Sequence, residues 1–496
     1  MLSQWFGKRS SCANQPHRRR IARTMRLGFD HLEDRSVPAI ITISHVPAAT
    51  PSNNDFTVFK NALNGASAGD TIKINGTLNW SEPNSFTSWA TTGFHYILPH
   101  IDNITLTGLN ASGDGITGPG TEGGGASPIH FDGLGTDKNW NITGLTIKNF
   151  DVAISYAPDA DFTSYAGTHI TNNVITVPNA GPASQNGGII LGPSANQTVQ
   201  GNQISISGHG GASSSSFGIN AFSSSSAGAW NNLLIDNNTV TVSTVGATEK
   251  IIGIAENTGS TGSNITVTNN TFHGDSGSIA GNQQVAFGIT SDSTDTATVV
   301  YSGNVVNGAL DGFVWGNPET NPPYDFSNDI GITFSNTTLT NVGTGFVARD
   351  GAKATIGSTT ITNIDVFNFG TAFSADGAGT VITVTDPVSN STGVAALKSE
   401  TSGGHVNFVG PKVTGLSTTT VSGTYGIGSA IAITVAFDRA VSVTGTPTLL
   451  LNSGGTATYC GGTGTNSLKF KYTIAAGESS AALDAAGASA LSGTIT

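Results

Sequence analysis

Residues 170–175 read Ile-Thr-Asn-Asn-Val-Ile, and the six-residue pattern that they follow recurs along most of the chain. The pattern is an apolar residue, any residue, glycine or asparagine, then asparagine, leucine or threonine, any residue, and a second apolar residue. Nine copies align, and successive copies begin 22 to 36 residues apart. Their first residues are Leu106, Ile142, Ile170, Val199, Ile235, Val267, Tyr301, Phe334 and Ile356. A unit repeated at such intervals is typical of solenoids, in which each repeat forms one coil.

The third position of the repeat predicts a tight corner. It is glycine or asparagine in eight of the nine copies, from Gly108 to Asn336, and serine in the last, Ser358. Glycine and asparagine adopt left-handed backbone angles more readily than other residues, so one such corner is expected in each coil. The sixth position is apolar throughout and predicts a continuous inner column. Its members are Ala111, Ile147, Ile175, Ile204, Val240, Phe272, Val306, Leu339 and Ile361.

The fourth position predicts an internal polar structure. It is asparagine in five consecutive copies, which are Asn173, Asn202, Asn238, Asn270 and Asn304. Stacked in register, these amides can bond to one another and to the backbone of the corner, whose polar groups would otherwise be left unpaired. We therefore predict a structural asparagine ladder.

These features predict an all-β fold: a right-handed parallel β-helix over residues 40–410 with about nine or more coils. A β-sandwich is the alternative, but it would not need the same corner chemistry about every 30 residues. An amphipathic helix from Asp55, as N-cap, to about Gly65 is expected to cover the open end of the β-helix, because an exposed strand edge pairs with other chains.

The repeat region resembles the pectate-lyase-like superfamily of right-handed parallel β-helices, over roughly 370 residues. That superfamily contains polysaccharide lyases, glycoside hydrolases, esterases, phage tailspikes and noncatalytic surface proteins. The resemblance therefore implies a fold and does not choose an activity.

Charge is scarce and unevenly distributed. Charged residues make up 10% of the chain and the net charge is −12, but residues 1–38 alone carry +5, which leaves −17 on the rest. An acidic body repels phosphate backbones and anionic lipids, so nucleic-acid partners are not expected. No apolar run of about 18 residues occurs, so no transmembrane segment is expected. Cys12 and Cys460 are the only cysteines, and no stabilising disulfide is expected.

The two ends of the chain carry their own signals. Residues 1–39 are expected to be a basic, disordered leader, in which Leu32 to Ala39 (Leu-Glu-Asp-Arg-Ser-Val-Pro-Ala) resembles a short sorting element of planctomycete surface and secreted proteins. Residues 411–496, with alternating strands such as Ile431 to Phe437, resemble a bacterial Ig-like repeat that stops before its final strand. These resemblances imply an extracellular or cell-surface bacterial protein.

Catalytic residues are harder to identify. Gly208-His209-Gly210 resembles a motif of polygalacturonase-like hydrolases, but no acid lies between Asp161 and Asp236 to supply the paired carboxylates of glycoside hydrolysis. A lyase would need acidic ligands for Ca²⁺ and a basic side chain, and the candidates for such a site are Arg349 and Asp350. A local surface ion pair is the alternative for these two residues.

The sequence does not decide whether the other acids or the tryptophans take part in binding. The pairs Asp292 with Asp295 and Asp325 with Asp329 lack a recognisable ligand spacing and are expected to decorate loops. Tryptophan faces stack on sugar rings, but tryptophan is also a core residue. Five tryptophans are spread over the predicted β-helix: Trp80, Trp89, Trp140, Trp230 and Trp315.

The sequence is compatible with three functions. A noncatalytic surface protein that binds an extracellular polysaccharide or a surface partner is favoured, without a cofactor. The alternatives are a polysaccharide lyase or glycoside hydrolase, for which Ca²⁺ is possible, and a purely structural envelope element that self-associates.

Overall fold

The computed structural model describes most of the chain from residue 37 onward. The described residues are 37–47, 50, 53–80, 95–110, 113–118, 120, 127–156, 165–178, 186–207, 215–221, 230–243, 250–257, 264–274, 283–290, 298–316, 332–349, 351–364, 371–385 and 396–495. The predicted leader therefore lies almost wholly outside the described residues.

The described chain is almost entirely β-structure, with one α-helix, α1 (Asp55–Asn64). The strands are β1 (Ile40–Ser44), β2 (Thr71–Asn75), β3 (Thr77–Asn79), β4 (His95–Ile97), β5 (Thr105–Gly108), β6 (Gly115–Thr117), β7 (Ser127–Phe131), β8 (Asn141–Thr143), β9 (Thr146–Lys148), β10 (Val152–Tyr156), β11 (His169–Thr171), β12 (Val174–Val177), β13 (Asn186–Leu191), β14 (Thr198–Gln200), β15 (Gln203–Ser207), β16 (Ser215–Ala221), β17 (Leu233–Asp236), β18 (Thr239–Ser243), β19 (Lys250–Asn257), β20 (Asn264–Thr268), β21 (Thr271–His273), β22 (Gln283–Thr290), β23 (Thr298–Ser302), β24 (Val305–Trp315), β25 (Ile332–Ser335), β26 (Thr337–Arg349), β27 (Lys353–Ile356), β28 (Thr359–Ile364), β29 (Thr371–Asp376), β30 (Val381–Val384), β31 (Ala396–Thr401), β32 (His405–Phe408), β33 (Val413–Thr418), β34 (Ala430–Val441), β35 (Val443–Leu450), β36 (Thr456–Gly461), β37 (Thr465–Thr473) and β38 (Leu491–Ile495).

One face of the solenoid is sheet A, with thirteen parallel strands in the order β1-β2-β5-β8-β11-β14-β17-β20-β23-β25-β27-β30-β32. Each strand pairs with its counterpart one coil away. The first residues of all nine repeats form a single register file, from Leu106 opposite Ile142 to Phe334 opposite Ile356. The parallel β-helix predicted from the repeat is confirmed.

The other faces belong to sheet B, which has nineteen strands. Two parallel files run through it, one beginning with β3, β6 and β9 and one with β4, β7 and β10. They merge in the long strands β24 and β26. The sixth positions of the repeat, from Ile147 to Ile361, lie in register and are buried. Ala111 lies outside the described residues.

The corner between sheet A and sheet B has the predicted left-handed residues in seven of the nine repeats. These are Gly144, Asn172, Gly201, Asn237, Asn269, Gly303 and Asn336, with φ between 50° and 68°. The prediction of one such corner in each coil was wrong for Gly108 and for Ser358, neither of which has a positive φ. A Cβ atom on Gly108 would lie 2.7 Å from the backbone oxygen of Gly144, so close approach of the next coil explains that glycine instead.

Inside this corner, the five predicted asparagines form a hydrogen-bonded ladder and are at most 1% exposed. Asn238 illustrates one rung. Its Oδ1 accepts hydrogen bonds from the backbone N and the Nδ2 of Asn202, at 3.0 and 2.9 Å. Its Nδ2 donates to the oxygen of Val199 and to Oδ1 of Asn270, both at 2.9 Å. Each rung thus satisfies buried polar groups of two neighbouring coils.

Sheet B carries a second inner file, which we call the small-residue column. The residues on either side of each member pair with their counterparts in the next coil, so the members follow one another in register on sheet B. They are Ala153, Gly188, Gly218, Gly253, Ala286, Gly312, Gly345 and Ala372. A Cβ atom on Gly253 would lie 2.3 Å from Cδ2 of Phe272. The small residues therefore make room for the large side chains of the sixth repeat position.

Helix α1 packs its apolar face on the first coils. Phe59 and Leu63 are fully buried, and Phe59 contacts Trp80 edge-on with ring centroids 5.3 Å apart. The helix ends at Gly65, as predicted. No helix in the described part of the chain is long and apolar enough to cross a membrane.

The prediction that Asp55 is the N-cap was wrong, because Asn54 has that position. The side-chain oxygen of Asn54 accepts a hydrogen bond from the backbone N of Thr57 at 2.8 Å. Asp55 instead accepts hydrogen bonds from the backbone N atoms of Val46 and Asn79, at 2.6 and 2.5 Å. The Asp55 carboxylate is thus bonded to segments outside the helix, and Asn54 supplies the cap.

Strands β33 to β38 form sheet C, an antiparallel sheet in the order β33-β34-β37-β36-β35-β38. Val435, Leu449 and Phe470 lie in its own apolar core, which is separate from that of the solenoid. Alternation of buried and exposed residues along β34 and β37 agrees with a sheet that buries one face. Its identity as a bacterial Ig-like repeat stays a prediction.

Candidate functional site

The outward surface of sheet A carries a long polar file, which we call the outer file. Its members occupy one register position in successive coils and are Lys73, Thr107, Thr143, Thr171, Gln200, Asp236, Thr268, Ser302 and Ser335. Neighbours bond along the file, for example Oγ1 of Thr171 to Oγ1 of Thr143 at 2.9 Å. Strands in a sheet lie about 4.8 Å apart, so polar groups recur at that interval along the solenoid.

Asp236 is the one carboxylate of the outer file. Desolvation raises its pKa, but hydrogen bonds from Thr268, Gln200 and Asn269 outweigh desolvation and hold the pKa below its usual value. Thr268 Oγ1 donates at 2.7 Å and Gln200 Nε2 at 2.7 Å. Asp236 is therefore ionised at neutral pH and fixed in place by its neighbours.

A shallow depression lies on the same face at the C-terminal coils. Its volume is about 270 Å³, and its lining includes Thr333, Thr355 and Thr383, which are aligned on β25, β27 and β30, with Lys353 and Val381 beside them. Three hydroxyl groups, one ammonium group and an apolar floor are the elements with which a protein contacts a polyhydroxylated ligand. The outer file and this depression together form the candidate binding surface.

The lyase candidate Arg349 lies at the end of β26, and Asp350 lies outside the described residues. In register with Arg349 on the next coil is Asp376. Hydrogen bonds from Thr401 and Ser402 are the main cause that lowers the pKa of Asp376, and the charge of Arg349 adds to them. The structure thus brings Arg349 to an acid that sequence spacing did not indicate, because the two residues are one coil apart.

Four of the five tryptophans cannot stack on a sugar from their positions. Trp80, Trp140, Trp230 and Trp315 are at most 2% exposed and belong to the solenoid core. Trp89 lies outside the described residues. So do His209 and the acid pairs Asp292 with Asp295 and Asp325 with Asp329.

A cluster that the sequence reasoning missed lies between β4 and β8. His100 follows β4, while Asp132 and Asp137 follow β7 on the next coil. His100 Nε2 lies 3.7 Å from Asp132 Oδ1, and His100 Nδ1 lies 3.4 Å from Asp137 Oδ2. Burial raises the pKa of Asp137 to about 6, although the adjacent His100 opposes that shift. Comparing residues one coil apart, at a separation near 36, would have found this group.

A second titratable group lies in the core. Glu256 on β19 is 1% exposed and accepts a hydrogen bond from the hydroxyl of Tyr301 at 3.0 Å. Burial raises the pKa of Glu256 to about 8, and the hydrogen bond from Tyr301 lowers it by less. Glu256 therefore stays protonated at neutral pH, which suits a packing role in the core.

Glu256→Gln is expected to remove a pH-dependent loss of stability. Between the ordinary pKa of 4.5 and the folded-state pKa of about 8, only the unfolded chain releases this proton, so stability falls as pH rises. The loss is about 1.4 kcal/mol per pH unit, or on the order of 3 kcal/mol between pH 5 and pH 8. Melting curves of both proteins at pH 5, 6.5 and 8 should diverge in favour of the variant. A constant difference would show that Glu256 does not titrate in this way.

A larger groove, of about 600 Å³, lies on the antiparallel unit. Its lining includes Leu416, Val421, Tyr425, Ile433 and Leu483. None of the residues predicted from the sequence to act on a ligand lies in this lining.

No protein-family model and no curated protein matches the chain. Among solved structures, the catalytic domain of Agl-KA is 15% identical, with 73% of this chain and 66% of that chain covered and a TM-score of 0.42. The chain thus spans just under two thirds of that structure. The tailspike protein of E. coli bacteriophage HK620, in complex with a pentasaccharide, is 10% identical, with 88% of this chain and 87% of that chain covered and a TM-score of 0.40. The alginate lyase from Paenibacillus sp. is 13% identical, with 74% and 99% covered and a TM-score of 0.36. At these values the chain is similar to them in general architecture, and the similarity carries no argument about activity.

Proposed function

We propose that this protein is a noncatalytic, extracellular or cell-surface β-helix protein that binds an extended polysaccharide along the outward face of sheet A. The observation that carries the proposal is the outer file, in which hydroxyl and amide groups recur in one register over successive coils. A linear polymer of hydroxylated units can contact such a surface repeatedly, and weak contacts add up when they are linked.

The charge of the chain limits the class of polymer. With −17 outside residues 1–38, the folded part favours a neutral glycan over a polyanion, and it disfavours nucleic acid. Lys353 lines the depression and adds a positive charge there. Export fits the polysaccharide proposal because such polymers lie outside the bacterial cell.

Thr355→Glu is expected to weaken glycan binding at least tenfold, because it places a charge and a longer side chain in the depression. Thr241→Glu is the matched control, since Thr241 is exposed on β18 of sheet B. Both variants should melt like the parent. Affinity electrophoresis of the full chain against neutral and uronate polysaccharides measures the effect, and equal retardation of the two variants would contradict the assignment of the binding surface.

The alternative function is a polysaccharide lyase or glycoside hydrolase. It is supported by Arg349, a basic side chain in register with Asp376, with Asp350 as the other candidate from the sequence. A depolymerisation screen with and without Ca²⁺, following new reducing ends and absorbance from unsaturated products, separates the two functions. Turnover that disappears in Arg349→Ala would replace the noncatalytic proposal.

A further inference from the structure

The cluster of His100, Asp132 and Asp137 joins two coils at one edge of the solenoid. Strand β4 delivers His100 and strand β7 delivers Asp132, and the backbone N of Leu98 donates to the oxygen of His130 at 2.9 Å between them. Asp137 returns to the same place at the end of the turn that follows Asp132. One ligand atom from each of the three residues lies within 4.8 Å of the other two.

The turn that carries Asp137 is held by the preceding coil. The backbone N of Lys138 donates to Asp102 Oδ1 at 2.9 Å, and the backbone N of Asn103 donates to the oxygen of Lys138 at 2.7 Å. Gly135 lies against the imidazole, since a Cβ atom there would be 2.0 Å from Cγ of His100. These contacts fix the turn that carries Asp137 against the preceding coil and against the ring of His100.

Asp137 is a buried carboxylate whose hydrogen bonding is incomplete. The residue is 0% exposed, and its Oδ1 has no hydrogen-bond partner in the described part of the chain. Its Oδ2 is 3.4 Å from His100 Nδ1, which is longer than a good charged hydrogen bond. Asp55 provides the contrast: it is also buried beside a histidine, but His45 Nδ1 lies at 2.7 Å and backbone N–H groups complete its shell.

We propose that His100, Asp132 and Asp137 bind a divalent transition-metal ion, with Zn²⁺ as the preferred ion. One ligand atom from each residue lies within 4.8 Å of the other two, and ligand atoms about 2.1 Å from a tetrahedral ion lie roughly 3.4 Å from one another, so a modest side-chain adjustment brings one imidazole nitrogen and two carboxylate oxygens around a single ion. An imidazole nitrogen with two carboxylates suits Zn²⁺ better than Ca²⁺, which takes six to eight oxygen ligands.

The site would bind its ion with three side chains and keep a position open. His100 has a side chain that is 40% exposed, whereas the Asp132 and Asp137 side chains are 14% and 1% exposed. The ion thus faces solvent on the His100 side, where a water molecule or an oxygen of a ligand completes its coordination. Metal binding also ties the segment after β4 to the segment after β7.

Titration of the metal-free full chain with Zn²⁺, Ca²⁺ and Mg²⁺ by isothermal calorimetry tests this site, and Co²⁺ absorption reports the coordination. We expect a saturable Zn²⁺ site that Asp137→Asn weakens by more than the roughly 10- to 100-fold that loss of an outer-shell partner costs. His45→Gln, which disrupts the fully bonded histidine–aspartate pair, should bind like the parent.

Asp132→Asn changes a less buried ligand, so it tests the site even if the Asp137→Asn protein misfolds. It should also weaken Zn²⁺ binding. Thermal melting of the parent should rise with Zn²⁺, and that rise should be lost in both variants. Equal Zn²⁺ affinity in the parent and Asp137→Asn, or tighter binding of Ca²⁺ than of Zn²⁺, would overturn the proposal.

Discussion

Asn238→Ala is expected to destabilise the solenoid by about 3 to 5 kcal/mol, because it removes the central rung of the asparagine ladder. The backbone N and Nδ2 of Asn202 lose their acceptor, and the oxygen of Val199 and Oδ1 of Asn270 lose a donor. Water cannot replace these bonds easily, since Asn238 is 1% exposed. Each buried polar group left unpaired costs roughly 1–3 kcal/mol.

Scanning calorimetry of the full chain measures this effect, with Asn264→Ala as the control. Asn264 is an exposed asparagine on β20, and exposed substitutions of this kind usually change stability by less than about 0.5 kcal/mol. If the two variants melted together, the ladder bonds would contribute nothing net to stability.

Gly253→Val is expected to destabilise the protein by about 3 kcal/mol or more, although valine favours strands and glycine does not. The added Cβ atom would meet Phe272 at 2.3 Å and the backbone oxygen of Ala286 at 2.7 Å. A ring can rotate, but the backbone oxygen is fixed by the pairing of β19 with β22. Packing and strand propensity therefore predict opposite signs for this substitution.

The control is Gly415→Val on β33, where an added Cβ atom would meet nothing within 4 Å. At this position the substitution changes only the strand propensity, and we expect stability to stay the same or to rise slightly. Chemical unfolding followed by circular dichroism measures both variants. A Gly253→Val protein as stable as the parent would show that the small-residue column has room that the structure does not indicate.

The fold was predictable because the repeat encodes it in side chains that point inward at the same place in every coil. The files from Leu106 to Ile356 and from Ile147 to Ile361 are apolar at fixed positions, and the ladder lies between them. The small-residue column was not predictable in the same way, because different numbers of residues separate it from the six-residue pattern in different coils.

The candidate sites were less predictable for a related reason. Arg349 with Asp376, and His100 with Asp132 and Asp137, are brought together only when one coil is laid on the next. The role of each tryptophan was ambiguous because an indole ring can stack on a sugar or pack in a hydrophobic core. Four of the tryptophans are buried and therefore pack in the core. Asp55 accepts hydrogen bonds from Val46, just after β1, and from Asn79 in β3, and these long-range contacts could not be predicted from the local sequence around the N-cap.

The ladder also implies that insertions and substitutions in this region have different effects on the fold. Consecutive rungs are 29, 36, 32 and 34 residues apart in sequence, yet the hydrogen bonds from each rung's backbone N to the next Oδ1 are all 2.9 or 3.0 Å. Insertions between rungs therefore leave the stacking unaltered, whereas a substitution at a rung disturbs two coils at once. The number of residues between two rungs is therefore less constrained than the residue at each rung.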